Sequence, residues 1–226
     1  MSNRAGRFEP TTAESVDDGW PGESDERRSP ATRIHRDSSR SIVATNDSPD
    51  VPFSSSINPY RGCEHGCIYC FARPSHAYLG LSPGLDFETR IFAKHDAPGL
   101  LRRHLERPSY RPQVIALGAN TDCYQPVESR LGITRAILDV LAEFANPVAL
   151  LTKSALVVRD VDVLSTMASR QLAQVSISLT TLDPGLARVM EPRASTPARR
   201  LKAMRSLSRA GVPVAVLAAP MIPGLN

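Results

Sequence analysis
Several things are scarce in this sequence. No apolar run approaches the ~18 residues that a membrane-crossing helix needs. No apolar stretch follows the first charges at the N-terminus, so no secretory signal is read there. These absences lead to the expectation of a cytoplasmic chain with no membrane partner. Cysteine occurs four times, and cytosolic thiols more often serve as ligands or reactive groups than as disulfide partners. Lysine is rarer still. Lys94, Lys153 and Lys202 are the only three among 27 basic residues, so the place of each is informative. Apolar residues make up 42% of the chain, slightly low for a packed domain, so part of it is expected to be disordered.

What is present is unevenly spread. Residues 1–50 hold seven Arg and ten Asp or Glu, so the remainder carries +7 against +4 for the whole chain. The first 50 residues are rich in Ser and Pro and poor in branched aliphatics. Such a segment cannot bury enough apolar surface to offset its ordering entropy. It is read as a disordered tail, with "IVATN" at 42–46 as one short docked strand, and residues 51–226 as the folded core domain. The basic excess suits either a solvated Arg-rich surface or contact with a nucleic acid or phosphorylated substrate.

Within the core, strand-like apolar runs at 113–118, 147–154, 173–181 and 212–223 alternate with helical patterns at 96–108, 129–145, 159–170 and 196–211. Asp96 is cap-like for the first helix. The last has Thr196 to cap, Pro197 in its first turn and Gly211 at its end. Leu201, Met204 and Leu207 are expected to form its buried stripe, which turns its basic residues mostly outward. A further strand near 53–59 makes five. Strands alternating with helices argue a parallel sheet with helical crossovers. The expected fold class is α/β, a partial (βα) TIM-type barrel truncated after the fifth strand, with the C-terminal part of the domain missing from this sequence.

Three of the four cysteines fall in "NPYRGCEHGCIYCFARPSH" (58–76), spaced Cys63-x3-Cys67-x2-Cys70. Thiolates are soft ligands suited to iron–sulfur clusters, zinc or Cu(I). Gly62 and Gly66 allow sharp turns, so three sulfurs can converge on one object. A structural zinc site usually pairs two C-x2-C knuckles and closes with a fourth ligand. His65, His76 or Cys123 would have to complete it here. A cluster with one iron free of protein thiolate accounts better for the missing ligand, because a substrate or cofactor can then bind that iron.

"CEHGCIYC" resembles the cysteine loop of the radical S-adenosylmethionine (SAM) superfamily. The longer stretch "NPYRGCEHGCIYCFARPSHAYLGLSPGLDFETRI" is similar to its spore-photoproduct-lyase-like branch, and the resemblance runs over roughly 42–226. It implies a [4Fe-4S] cluster on Cys63, Cys67 and Cys70, with SAM chelating the fourth iron. It also implies reductive cleavage of SAM to a 5′-deoxyadenosyl radical that takes hydrogen from a substrate. A one-electron donor such as a flavodoxin or ferredoxin is the implied partner. Damaged nucleic acid is the substrate suggested by the branch. The rival readings are a radical SAM enzyme acting on a protein or small molecule, and a zinc-stabilised nucleic-acid-binding module without catalysis.

Ligands of parallel βα folds gather at the carboxyl ends of strands. By the resemblance, Asn120, Thr121 and Asp122 stand where the family holds SAM's amino group. Read from the residues alone, Asp122 equally forms an Asx turn. Lys153, at the end of the third apolar strand, corresponds to a residue holding SAM's carboxylate. Ser176 and Ser178 share a strand face by period two and are read as ribose or methionine contacts, or as a small polar lining. Glu191 and Arg193 form either an ion pair at the rim or contacts to SAM. Tyr69 is expected beside the adenine. Cys123 is read as a buried inert thiol or as a hydrogen-atom donor, although the family's donor cysteine precedes the loop Asp and falls nearer Ala119.

Overall fold
The computed structural model describes residues 31–226. Its elements run β1 (Arg33–Arg36), β2 (Val43–Thr45), β3 (Ser55–Ile57), β4 (Tyr60–Arg61), α1 (Leu85–Thr89), β5 (Arg90–Ala93), α2 (Ala97–Leu105), β6 (Ile115–Leu117), α3 (Glu128–Leu131), α4 (Ile133–Glu143), β7 (Val148–Thr152), α5 (Val161–Ala168), β8 (Ala173–Ser178), α6 (Pro184–Met190), α7 (Pro197–Arg209) and β9 (Val214–Leu217). Short 3-10 segments span Arg73–Leu79 and Ala155–Asp160.

The main sheet has the order β2-β3-β6-β7-β8-β9. From β3 onward every pairing is parallel and neighbours follow chain order, while β2 adds antiparallel to β3. This is the five-stranded α/β partial barrel expected, with the 42–46 strand docked on its edge as β2. Val148, Leu150, Val175 and Ile177 are buried against Ile137, Leu138 and Leu141 of α4, Leu164 and Met167 of α5, and Ala203 and Leu207 of α7, all in one apolar core. Leu151, one position out of phase with Leu150, faces a cavity instead.

A second sheet, β1-β5-β4, was not legible in the sequence. β1 lies within the segment expected to be disordered. Its backbone pairs in parallel with β5, and His35 stacks on Phe92 with ring centroids 5.0 Å apart. Both supports are some 55 residues away, so nothing local announces the strand. Residues 1–30 of that segment lie outside the described residues.

Three helix expectations change. The helix expected over 129–145 breaks at Gly132, whose φ of +64° is left-handed. Asp96 makes no cap bond; its carboxylate instead pairs with Arg36 of β1. In α7, Thr196 caps as expected, accepting from the Arg199 amide. The buried stripe, however, is Pro197, Arg200, Ala203 and Leu207, with Leu201 and Met204 only half-buried. Arg200 therefore points inward, against the expectation for this basic helix, because a buried carboxylate receives it.

Candidate functional site
The cysteine loop leaves β4 and runs to the 3-10 segment at Arg73. Cys63 donates its amide to the Phe87 carbonyl (2.9 Å), which pins the loop's first cysteine to α1. Gly62 makes that approach possible. Its φ is +81°, and a Cβ there would lie 2.8 Å from the same carbonyl. All four cysteines are free thiols. Burial raises the pKa of both Cys63 and Cys67, the latter to about 12.

Cys63, Cys67 and Cys70 line one cavity of about 290 Å³. The opposite wall comes from the strand ends. Asn120 and Asp122 follow β6, Lys153 follows β7, Ser178 ends β8, and Leu217, Ala219 and Pro220 follow the register of β9. Tyr69 and His65 complete the polar lining. Ser178 is fully buried, and its Oγ has no hydrogen-bond partner. A buried hydroxyl aimed at a cavity without a partner is costly unless a ligand satisfies it.

Asp122 has a double role. Its Oδ1 accepts from the Tyr124 amide (2.8 Å) and the Thr152 hydroxyl (2.7 Å). Its Oδ2 accepts from the Lys153 amide (2.6 Å) and lies 3.4 Å from His65 Nδ1. The Asx turn is therefore real, and it also ties the ends of β6 and β7 together at the cavity wall. The Lys153 ammonium lies 5.8 Å from the centroid of the Tyr69 ring, a cation–π arrangement facing the cavity.

Four expected site residues stand elsewhere. Thr121 is buried away from the cavity, its hydroxyl donating to the Tyr60 carbonyl (2.8 Å). Ser176 is half-buried and does not reach the cavity. Glu191 and Arg193 pair with other partners rather than each other. Glu191 accepts from Tyr69, Thr180 and Arg200, while Arg193 pairs with Glu88. Neither lines the cavity, but Glu191 orients Tyr69, which does. Burial alone would raise the Glu191 carboxyl, yet the Arg200 charge and the three hydrogen bonds outweigh it and hold its pKa below the ordinary value.

Cys123 stands as a buried thiol, the alternative to the donor reading. It is fully buried in the main apolar core, with Sγ 3.8 Å from the Leu151 carbonyl, and does not line the cavity. Burial raises its pKa well above the usual thiol value. Ala119, at the position nearer the family's donor, does line the cavity but has no thiol.

Among the described residues, no group of three or more His, Cys, Asp or Glu converges on a point that would hold a single metal ion. Cys63, Cys67 and Cys70 all border the same cavity. A family model described as the radical SAM superfamily matches residues 57–226. The chain belongs to the radical SAM superfamily. Its cofactors are accordingly a [4Fe-4S] cluster and SAM, and the site fits them: three free thiols of the right softness, an open volume beside them, a cation and an unpartnered hydroxyl.

Among relatives, the uncharacterized protein Rv2578c of Mycobacterium tuberculosis is 41% identical over 176 residues, 78% of this chain and 52% of that one. The chain thus spans about half the length of the curated relatives it matches. Spore photoproduct lyase complexed with dinucleoside spore photoproduct aligns with a TM-score of 0.59 at 17% identity, over 84% of this chain and 52% of that one. A variant of the same enzyme with bound SAM and the dinucleoside gives 0.56 at 17% identity, over 83% and 50%. These likenesses concern the fold.

Proposed function
We propose that Cys63, Cys67 and Cys70 hold the cluster and that the adjoining cavity takes SAM. The observation carrying this reading is that three free cysteines and the polar ends of β6, β7 and β8 line the same space. In it the Lys153 ammonium attracts SAM's carboxylate by a charge-assisted bond. Asn120 and Asp122 face the ammonium group, Ser178 donates to a ribose or methionine oxygen, and the Tyr69 ring packs beside the adenine. Glu191 and Arg200 act behind Tyr69, setting its position. The apolar wall of Leu151, Leu217 and Pro220 excludes water. The cluster and SAM together supply a 5′-deoxyadenosyl radical that abstracts hydrogen from the substrate.

For the substrate we propose damaged nucleic acid, handled in a lyase-type reaction by a cytoplasmic enzyme whose one-electron donor is a flavodoxin or ferredoxin. The fold of spore photoproduct lyase and the +7 charge of residues 51–226 support this. A second reading, a radical SAM enzyme acting on a protein or small molecule, is favoured by one observation. Among the described residues, the only thiols lining the cavity are those given to the cluster. The test is anaerobic incubation with SAM and a strong reductant. Release of 5′-deoxyadenosine is expected, and it should disappear when Cys63, Cys67 and Cys70 are replaced by Ala. Undiminished release from that variant would remove the cysteines from the site.

A further inference from the structure
The loop that carries the three cysteines has little apolar support of its own. Cys63, Ala72 and Phe87 form a small buried cluster with Cys70 beside it, separate from the main core. Polar groups supply the rest. Arg73 donates to the Cys67 carbonyl from Nη2 (3.0 Å) and Nε (3.3 Å), and from Nη1 to the Gly84 carbonyl (3.2 Å). Arg193 donates from Nε to the Glu64 carbonyl, and its amide donates to the His65 carbonyl (3.1 Å). Two arginines from distant parts of the chain thus grip the loop backbone on either side of Gly66.

One carboxylate joins them. Glu88 Oε1 accepts from Arg73 and Oε2 from Arg193, and the side chain is 13% exposed. Gly66, at φ +70°, lets this bridge close. A Cβ there would lie 2.9 Å from both Arg193 Nη2 and Glu88 Oε2. The main chain of the same short helix, α1, receives the Cys63 amide through Phe87. Charge-assisted bonds of this kind are roughly twice as strong as neutral ones.

We propose that Glu88 is a positioning residue, which bridges Arg73 and Arg193 into a clamp that holds the cysteine loop in its ligating shape before iron arrives. The inference rests on the assignment of Cys63, Cys67 and Cys70 as cluster ligands. The clamp also sets a net single positive charge against the loop, from two guanidinium groups and one carboxylate. Positive charge beside a cluster favours its reduced, more negative state, so the clamp tunes as well as shapes the site.

The test compares wild type with Glu88→Ala and Arg193→Gln, each as the full chain. In metal-free protein, hydrogen exchange of the 63–70 amides should speed up in both variants while the thermal melt stays that of a folded domain. After anaerobic reconstitution with iron and sulfide, both should lose iron to a chelator at least ~tenfold faster, as outer-shell changes commonly do. Their reduction potentials should move in opposite directions, upward for Glu88→Ala, which leaves a net charge of two positive, and downward for Arg193→Gln, which leaves a net charge of zero. Wild-type exchange and iron-loss rates in either variant would overturn the clamp, and shifts of the same sign would overturn its electrostatic part. If Glu88→Ala does not fold, Glu88→Gln, which keeps one arginine contact, takes its place with the same criteria. A wild-type chain that binds no iron strikes at the ligand assignment instead, and the metal-free exchange data still judge the clamp.

Discussion

The two walls of the cavity are built in different ways. The strand-end wall sits on the main core. Asp122, Lys153 and Ser178 are the next step outward from Leu117, Leu150 and Ile177, which are buried among the helices. The cysteine wall sits on a loop held by backbone-directed arginines and a half-buried carboxylate, with only a small apolar cluster beneath it. Apolar burial is non-directional and distributes over many residues, whereas a polar clamp depends on a few atoms. The cysteine wall is therefore the one that single substitutions can loosen without dissolving the domain.

Arg200 is where the two modes meet, and its loss should have the largest effect. It lies 1% exposed, donates to the Ser178 carbonyl (2.9 Å) and the Ser195 carbonyl (2.7 Å), and pairs with Glu191. Arg200→Ala leaves the Glu191 carboxylate buried and uncompensated, which should cost about 3–5 kcal/mol in urea unfolding. A loss under about 1 kcal/mol would mean that the strand-end wall stands without its ionic anchor.

Lys153→Ala should have a smaller and more local effect. The SAM dissociation constant should rise ~tenfold, equivalent to about 1.4 kcal/mol, with cluster content and stability retained. Unchanged affinity would take Lys153 out of the site. Loss of the cluster would show that the walls are coupled more tightly than their separate supports suggest.

The smallest effect concerns pH and the cysteine wall. His76 is fully buried beside Phe87, with Nε2 3.0 Å from the Arg90 carbonyl and Nδ1 unpartnered. Burial lowers its pKa below the usual 6.5, and the bond to Arg90 offsets this only in part. A depressed folded-state pKa means that the neutral ring's contribution is complete above the unfolded value and is lost as pH falls below it. Between about pH 8 and about pH 5.5, the wild-type urea midpoint should therefore fall more than that of His76→Asn. Parallel curves would acquit His76.

Much of the fold was readable along the chain. The strands β6, β7 and β9 are short apolar runs, and the helices α2, α4, α5 and α7 announce themselves by their apolar positions, because those signals are local. The cysteine spacing was equally legible, since three ligands within eight residues need no distant partner to be recognised. β1 and the break at Gly132 were not. A strand reading "RIHR" has no apolar alternation of its own and exists through its pairing with β5.

At the site, local sequence named Cys63, Cys67, Cys70, Asp122 and Lys153, whose chemistry follows from residue type and from their place at a loop or strand end. Only the tertiary structure decided which neighbours matter. It turned Arg200 inward to meet Glu191 and buried Cys123 in the core. It also separated Glu191 from Arg193 and brought Arg73, Glu88 and Arg193 together from three segments. Ion pairs between distant segments leave no periodic trace in a sequence, because charge has no preferred spacing and depends on what the fold places within a few ångströms.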